Sequence, residues 1–382
     1  MLENSWKHSV SRRNAFRALA GFFAGSPLLR SQQDPSPDHS RVPRLDEMLN
    51  AFDFEPVVYA KVPRAAFTYT AYGSDSEFTL RRNREAFDWV KLVPRAVTDL
   101  TSAQTATEIL GLQVAFPIMI SPSAAQAALH PDGESAMHQG ATAASNTPMI
   151  VSNVSSLPVS KIAAAATGPL WFQLYPKPEM DENRAVLDEA QTAGCRAIVV
   201  TVDQQAAQSD RAPRRPARAA PKNLYGVQDS RLWYRWEFFD RIRPFVKVPI
   251  LIKGILTAED ARLAIDHGLD AVYVSNHGGR SLDYTPSTLE VLPEIVDAVG
   301  RRVPILFDSG IRRGDDILKA LALGANMVCL GRVPRWGLGA YGAEGVQRIL
   351  EIVQVELVHA MASTGRPTLA SIDRTLVKTD FP

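Results

Sequence analysis

The sequence has few of the features that mark membrane, nucleic-acid-binding or disulfide-rich proteins. Only two of its 382 residues are cysteines, Cys195 and Cys329, and each lies inside an apolar run, so we expect two buried thiols. Neither has a cysteine or histidine partner at zinc-ligand spacing. The formal net charge is only +1, and no apolar run is long enough to cross a bilayer. These absences argue against a nucleic-acid partner and against an integral membrane protein.

The N-terminal segment differs from the rest of the chain. Arg12 and Arg13 precede an uncharged stretch, residues 18–29, and this pattern resembles a bacterial twin-arginine export signal. An alanine stands where phenylalanine is usual and no A-x-A cleavage site follows, so an amphipathic leader or a disordered arm is the alternative. We expect a leader over residues 1–30, a polar linker over 31–43 and export to the periplasm, with the cytoplasm as the other location.

From about residue 117 onward, short apolar runs alternate with helical patterns. Residues 257–267, for example, have Thr257 placed to cap a helix and Gly268 placed to stop it. Eight runs are the number that a closed parallel barrel requires. An open doubly wound sheet is the alternative, but no G-x-G-x-x-G follows the first run. The runs are residues 117–120, 149–151, 170–173, 197–202, 250–252, 271–274, 305–307 and 327–330.

Polar residues cluster at the C-terminal end of every run. In a parallel barrel these positions meet at one mouth, which is where barrel enzymes have their active sites. Any one of them can also be a strand cap, but eight together predict a site. The residues are Ser121, Ser123, Ser152, Gln173, Tyr175, Thr201, Asp203, Lys253, Ser275, His277, Asp308 and Arg332.

Residues 271–283, AVYVSNHGGRSLD, run from a buried strand into a polar turn with His277 and Arg280. Histidine titrates near neutrality, and a guanidinium can bind both oxygens of a carboxylate. A capped turn with a surface arginine is the plainer interpretation. With the TPSTL that follows, however, the segment resembles the active-site signature of the FMN-dependent 2-hydroxy-acid oxidising enzymes, which include glycolate oxidase, lactate oxidase and flavocytochrome relatives.

The resemblance implies a (β/α)₈ TIM barrel over residues 44–382 with an N-terminal helical cap segment. It also implies bound FMN, oxidation of an L-2-hydroxy acid to the 2-oxo acid, electron transfer to oxygen or another acceptor, and a homo-oligomer, in the family a tetramer. Two alternatives are an FMN barrel of the isopentenyl-diphosphate isomerase type and a non-catalytic flavin-binding protein. The SNHGGR segment with the paired tyrosines argues against the isomerase type, and the intact set of His277, Asp203 and Arg280 argues against a non-catalytic protein.

Five residues acquire substrate roles from the resemblance. His277 is the base that takes the substrate proton, and Asp203 stabilises its imidazolium. Tyr175 donates its hydroxyl to the substrate oxygen. Arg280 binds the carboxylate together with Tyr69, which lies in RAAFTYTAYGSDSEFTLRRNREAFD, a segment similar to the family's cap.

The family has a second carboxylate-binding arginine shortly after the TVD that ends at Asp203. Gapless counting puts Asp210 there, whereas one inserted residue puts Arg211 there. We expect Arg211, because only a cation suits a carboxylate. It begins the most basic part of a loop over about residues 204–230, which we expect to be mobile. Val154 stands where glycolate-type members have a large aromatic residue, which favours a bulkier 2-hydroxy acid.

The cofactor residues also follow from the resemblance. DSGIRRG, which begins at Asp308, and the later Gly331-Arg332 are similar to the family's DGGVRRG and GRP, with Ser309 in place of a glycine. The resemblance assigns Asp308 to the ribityl hydroxyls and Gly310, Arg312, Gly331 and Arg332 to the phosphate. Lys253 would stabilise the negative charge of reduced flavin. The predicted ring contacts are Pro122, Ser123, Ala124, Ser152, Gln173, Thr201 and Ser275.

Overall fold

The computed structural model describes residues 42–203, 210 and 235–382. The predicted leader, nearly all of the predicted linker, and most of the basic loop with Arg211 lie outside the described residues. A compact unit spans Leu45–Pro382.

Eight parallel strands close into a barrel, as predicted. Their order around the barrel is β4 to β11 in sequence, closed by pairing of β11 with β4. Four short strands lie outside it, as the antiparallel pairs β1–β12 and β2–β3. The strands are β1 Val90–Leu92, β2 Thr107–Ile109, β3 Leu112–Val114, β4 Ile118–Ile120, β5 Met149–Ser152, β6 Leu170–Leu174, β7 Ile198–Thr201, β8 Ile250–Ile255, β9 Ala271–Val274, β10 Ile305–Phe307, β11 Met327–Leu330 and β12 Val377–Thr379.

The barrel strands form because nearly every residue in them is buried on both faces. Side chains that point inward fill the interior, and those that point outward pack against the helices. The interior is closed by a layer that includes Trp171, Tyr273 and Cys329. Both cysteines are buried and unpaired, as predicted. The barrel is therefore a packed core, and any ligand site must lie at its ends.

Helices surround the barrel. Thr257 caps its helix by accepting a hydrogen bond from the Asp260 amide, as predicted. Ser287 and Glu290 form a capping box at another helix start. The helices are α1 Phe54–Lys61, α2 Arg64–Ala71, α3 Phe78–Glu85, α4 Gly133–Ala143, α5 Val159–Ala164, α6 Met180–Thr192, α7 Glu237–Ile242, α8 Ala258–Asp266, α9 Thr288–Val299, α10 Gly314–Ala322 and α11 Arg332–Ser363, the last with a break at Tyr341 and Gly342.

Helices α1 to α3 form the predicted N-terminal cap, and α2 and α3 reach the barrel mouth. Asn83 of α3 and Asn276 exchange hydrogen bonds of 2.9 and 2.8 Å. Only a glycine fits at position 279, because a Cβ there would lie 2.6 Å from the Leu80 amide nitrogen. The last helix of the cap, α3, ends at Glu85. Residues 90–92 instead pair as β1 with β12, a partner almost 290 residues away that no local pattern reveals.

Candidate active site

A cleft at the carboxyl ends of the barrel strands contains most of the predicted site residues. The cleft is open toward solvent. Gln173, Thr201 and Ser275 are buried at or just beyond the strand ends, Asp203 is partly buried, and none of the four lines the cleft. The predicted residues that line the cleft are Tyr69, Pro122, Ser123, Ala124, Ser152, Tyr175, Lys253, His277, Arg280, Asp308, Gly310, Arg312, Gly331 and Arg332.

His277 is held in an unusual backbone conformation directly after β9. Residues 277, 278 and 279 have φ angles of 58°, 68° and 73°, a region that costs a non-glycine residue free energy. The turn brings Nδ1 of His277 to 2.9 Å from Oδ1 of Asp203, which follows β7. Such strain persists where the surroundings enforce it, and here it fixes an imidazole at the mouth.

Lys253 of β8 contacts the second carboxylate oxygen of Asp203. Its Nζ lies 3.5 Å from Oδ2 of Asp203, and the lysine is only 2% exposed. Burial by itself raises the pKa of Asp203, but Lys253 and His277 outweigh it and lower that pKa. Burial and the charge of Lys253 lower the pKa of His277, and Asp203 offsets this only in part. The site therefore favours an ionised aspartate beside a neutral histidine.

Arg280 lies between the mouth and the cap. Its guanidinium donates to the carbonyl oxygens of Tyr69 and, at 3.3 Å, of Tyr72, and its Cζ lies 4.5 Å from the centroid of the Tyr69 ring. Tyr69 is 45% exposed. An arginine and a tyrosine thus lie side by side at the open part of the cleft.

The position that gapless counting gives for the second arginine lies elsewhere. The Asp210 amide donates to the carbonyl oxygen of Asp75 at 2.9 Å. Asp210 is not among the residues that line the cleft. Its carboxylate adds to the burial and the Asp283 charge that raise the pKa of Asp75. Asp210 therefore belongs to an acidic group outside the cleft, which is compatible with the expectation for Arg211.

Arg312 lies in the loop after β10 and is buried. Its guanidinium donates to the Ile311 carbonyl at 2.8 Å and lies 4.8 Å from the centroid of the Trp336 ring. Burial lowers its pKa to about 10. In the part of the chain that the structure describes, no carboxylate forms an ion pair with it. A buried cation of this kind suits an anionic ligand.

Arg332, directly after β11, is bound to backbone carbonyls. It donates to Thr70 at 2.9 Å, Gly278 at 2.8 Å and Tyr72 at 3.1 Å. Burial and the nearby charge of Arg312 hold its pKa well below the ordinary range. It too has no ion-pair partner across residues 42–203, 210 and 235–382. Its side chain therefore fastens the C-terminal end of α2 to the mouth as well as lining the cleft.

Asp308 is the hub of a hydroxyl network at the end of β10. Its carboxylate accepts hydrogen bonds from Ser275 at 2.7 Å, Ser309 at 2.8 Å and Tyr273 at 2.9 Å, with Ser121 at 3.3 Å. Ser309 has a positive φ of 87°, a conformation that favours glycine, the residue it replaces in the family's pattern. Its hydroxyl also accepts from the Gly278 amide at 3.0 Å and so links two mouth loops.

The residues present fit FMN. Nε2 of Gln173 and Oγ1 of Thr201 are buried at the ends of β6 and β7 without a hydrogen-bond partner in the described structure, and such atoms normally have one. The nitrogens and carbonyl oxygens of a flavin ring would supply hydrogen-bond partners for these two atoms. The buried ammonium of Lys253 suits the negative charge of a reduced flavin. Arg312 and Arg332 suit a phosphate.

Two chemically important residues were missed by sequence reasoning. Arg335, in the first turn of α11, lines the cleft and is 5% exposed. Tyr273 reaches Asp308 from inside the barrel. Arg335 lies in an apolar helix, where a buried arginine is itself a signal, whereas Tyr273 looks like an ordinary core residue of a strand.

Comparison with known proteins shows the family. The sequence profile described as FMN-dependent dehydrogenase matches residues 59–379. A peroxisomal (S)-2-hydroxyacid oxidase of Arabidopsis thaliana is 35% identical over 88% of this chain and 98% of its own. Glycolate oxidase of Spinacia oleracea is 35% identical over 88% and 97%. A crystal structure of mandelate oxidase superposes with a TM-score of 0.79 at 35% identity, over 87% of this chain and 99% of the other.

These findings correct one prediction and support others. The prediction of export to the periplasm through a twin-arginine signal is wrong, since relatives that match over nearly their whole length are named peroxisomal oxidases. In the described residues no helix is long and apolar enough to cross a membrane, and no cluster suited to a metal ion is present there. The relatives' names favour hydroxy-acid oxidation over the isomerase and non-catalytic alternatives.

A cleft at a barrel mouth, with a histidine–aspartate pair and buried arginines that form no ion pair in the described residues, agrees with all of these matches. The chain belongs to the FMN-dependent 2-hydroxy-acid oxidase family, and is an FMN-dependent oxidoreductase that oxidises 2-hydroxy acids.

Proposed function

We propose that His277 is the base that removes the proton from an L-2-hydroxy acid. The observation that carries this assignment is the 2.9 Å contact between Nδ1 of His277 and Asp203 at the cleft. Because that contact occupies Nδ1, the other ring nitrogen is the one that takes the proton. The lowered pKa keeps the imidazole neutral, and hence basic, to lower pH than in an ordinary histidine.

Asp203 and Lys253 set the charge of this base before and after proton transfer. Asp203 orients the neutral ring and stabilises the imidazolium that forms. Lys253 keeps Asp203 ionised, and its own charge lowers the pKa of His277. The three groups therefore act as a unit in which the proton is held at His277.

Arg280 and Tyr69 bind the substrate carboxylate, and Arg211 supplies the second cation. The position of Arg280 over the Tyr69 ring supports a joint site. Tyr175 lines the same cleft and donates its hydroxyl to the substrate oxygen. A charged clamp of this kind orients the acid with its α-hydrogen toward the cofactor.

FMN, when bound, accepts the two electrons that leave the α-carbon. Arg312 and Arg332 would hold its phosphate with the backbone at Gly310 and Gly331, and Asp308 its ribityl chain. Lys253 would stabilise the reduced ring. Ring contacts would come from the strand-end residues Pro122, Ser123, Ala124, Ser152, Gln173, Thr201 and Ser275.

Oxygen is the acceptor that we propose, because the relatives are named oxidases. We further propose that residues 44–382 form one catalytic domain and that the enzyme is a homotetramer. The half-exposed Val154 at the mouth favours an acid with a larger side chain than glycolate.

Anaerobic mixing of the FMN-loaded protein with a panel of (S)- and (R)-2-hydroxy acids tests the reaction. We expect bleaching of the flavin absorbance by (S)-acids and rapid recovery on admission of air. Bleaching by (R)-acids alone would contradict the assigned handedness, and slow recovery in air would contradict oxygen as the acceptor. No bleaching by any acid would contradict the proposed function.

A further inference from the structure

Arg335 is a buried cation in the cleft wall that the roles above do not use. Its Nε and Nη2 donate to Oγ1 of Thr70 at 3.2 and 3.0 Å, and its Nη1 donates to the Ala124 carbonyl at 2.7 Å. The Thr70 hydroxyl itself donates to the Ala66 carbonyl. Neutral acceptors thus fix the position of the guanidinium without balancing its charge.

Within the described ranges no ion pair includes Arg335, and the charge of the Glu134 carboxylate raises its pKa by less than burial lowers it. Leaving a buried charge uncompensated is costly, and burial lowers its pKa to about 10. Two of its five N–H donors remain after the three hydrogen bonds above. The side chain lines the same cleft as His277. An anionic group of a ligand would supply the missing charge and acceptors.

The surroundings of Arg335 distinguish it from the arginines assigned to phosphate. Arg312 and Arg332 follow β10 and β11, whereas Arg335 reaches the loop after β4 through Ala124 and lies beside Tyr69. Its Cζ is 5.4 Å from the centroid of the Tyr69 ring, and that of Arg280 is 4.5 Å from the same point. The two Cζ atoms are therefore at most about 10 Å apart, a span compatible with the two carboxylates of a short diacid, each of which can be held by a guanidinium.

We propose that Arg335 binds a second, distal carboxylate of the substrate, so that the preferred substrate class is a short-chain 2-hydroxydicarboxylic acid. This inference depends on the proposed function for the assignment of the first carboxylate to Arg280. Arg335 is then a specificity-determining residue. It acts on recognition of the side chain, while His277 acts on the reacting carbon.

A matched pair of acids tests the proposal: (S)-2-hydroxyglutarate and (S)-2-hydroxypentanoate, which has the same chain length without the distal carboxylate. Flavin reduction by each is measured by stopped flow in the wild type, Arg335→Met, Arg335→Lys and Arg262→Met. Arg262 is an exposed residue of α8 and serves as the control. FMN content is measured from the flavin absorbance of each variant.

We expect the wild type and Arg262→Met to prefer the diacid in kcat/KM. Arg335→Met should reduce the ratio of diacid to monoacid by about 30-fold or more, since loss of one partner of a desolvated charge pair has an effect of that size. Arg335→Lys should keep part of the preference. The effect should appear mainly in KM, with FMN content unchanged.

Three results would overturn the inference. They are a wild-type preference for the monoacid, an unchanged ratio in Arg335→Met, and an equal loss with both acids, which would indicate only a structural role. A loss of FMN in Arg335→Met would instead assign the residue to the cofactor. If no acid bleaches the flavin, the proposed function fails separately. Glutarate binding, read from the flavin spectrum, then still tests Arg335, and equal affinity in wild type and Arg335→Met would refute the anion site.

Discussion

The two sides of the barrel mouth differ in whether their charged side chains form ion pairs within the described residues. On one side, which we call the catalytic side, Asp203 contacts both Lys253 and His277, and the charges of Lys253 and Asp203 balance each other. On the other, the arginine side, Arg312 and Arg332 follow β10 and β11 and donate to backbone carbonyls, with no ion-pair partner in the described residues. Their pKa values are lowered by burial, whereas that of Asp203 is lowered by its cationic neighbours.

The difference indicates what each side is built to receive. Groups whose charges already balance can take up or release a proton without binding a further ion, which suits an acid–base centre. Buried arginines without a carboxylate partner carry a desolvation penalty, and a bound anion offsets that penalty. Substitutions on the two sides should therefore separate into effects on rate and effects on ligand retention.

The largest effect is expected for His277→Gln on the catalytic side. The variant lacks the base, and a positioned base contributes about 10²–10⁴-fold, so the rate of anaerobic flavin reduction should fall by that factor. FMN should remain bound, because the arginine side is untouched. Stopped-flow absorbance measures the rate and the flavin content together, and near-normal bleaching would show that another group is the base.

On the arginine side, Arg332→Ala should weaken FMN retention and not the chemistry of the FMN-loaded enzyme. Loss of a charge-assisted contact in a desolvated site costs about 2–5 kcal/mol. The dissociation constant for FMN, measured by fluorescence titration of the apoprotein, should rise accordingly. Arg332→Lys keeps the charge and serves as the control. Since Arg332 also holds Thr70 and Tyr72, thermal unfolding without FMN separates loosening of the cap from loss of the phosphate contact.

Arg211 tests whether the catalytic side needs a second cation for the substrate. Arg211→Met should raise the substrate dissociation constant by an amount equivalent to about 2–5 kcal/mol, with an unchanged flavin spectrum. Asp210→Ala is the matched control and should have little effect, because Asp210 contacts Asp75 outside the cleft. Normal binding in Arg211→Met, with a defect in Arg214→Met or Arg215→Met, would move the clamp further into the basic loop.

The pH dependence of kcat/KM tests how Lys253 and Asp203 on the catalytic side affect the pKa of His277. The acid limb of kcat/KM reports the base of the free enzyme, and it should lie below the ordinary histidine value of about 6.5, because the pKa of His277 is lowered. Lys253→Met removes a charge that lowers this pKa, so the limb should move to higher pH. Asp203→Asn removes a charge that raises it, so the limb should move to lower pH. Shifts in the same direction in both variants would refute the proposed coupling.

The smallest effect concerns Ser309, whose hydroxyl joins the loops of the two sides. Ser309→Ala loses the hydrogen bonds to Asp308 and from Gly278, each worth about 1 kcal/mol, and keeps the strained φ. Ser309→Gly loses the same bonds but relieves the positive φ, so it should be less destabilised by about 1 kcal/mol. Urea unfolding of the two variants measures the difference, and equal stabilities would show that the backbone at 309 is unstrained.

Much of the site was predictable because a barrel converts strand order into proximity. Ser275, Asp308 and Lys253 were expected at the mouth from the ends of their apolar runs, before any resemblance was considered, and the structure places them at these strand ends. The limits of the eight runs agree with the strands to within a few residues. The strand at residues 90–92 was not predictable, because its partner lies at the other end of the chain.

The sequence by itself determined the barrel, the family and the residues at the mouth, because hydrophobic periodicity and a long local motif encode them. Only the tertiary structure decided how charges are paired. Whether Asp203 neutralises Lys253, or whether Arg335 has a carboxylate beside it, depends on side chains tens to hundreds of residues apart. The same holds for Tyr273, a core residue by pattern whose hydroxyl meets Asp308. Electrostatic energy depends on distance and burial in space, and neither quantity is contained in the spacing of residues along the chain.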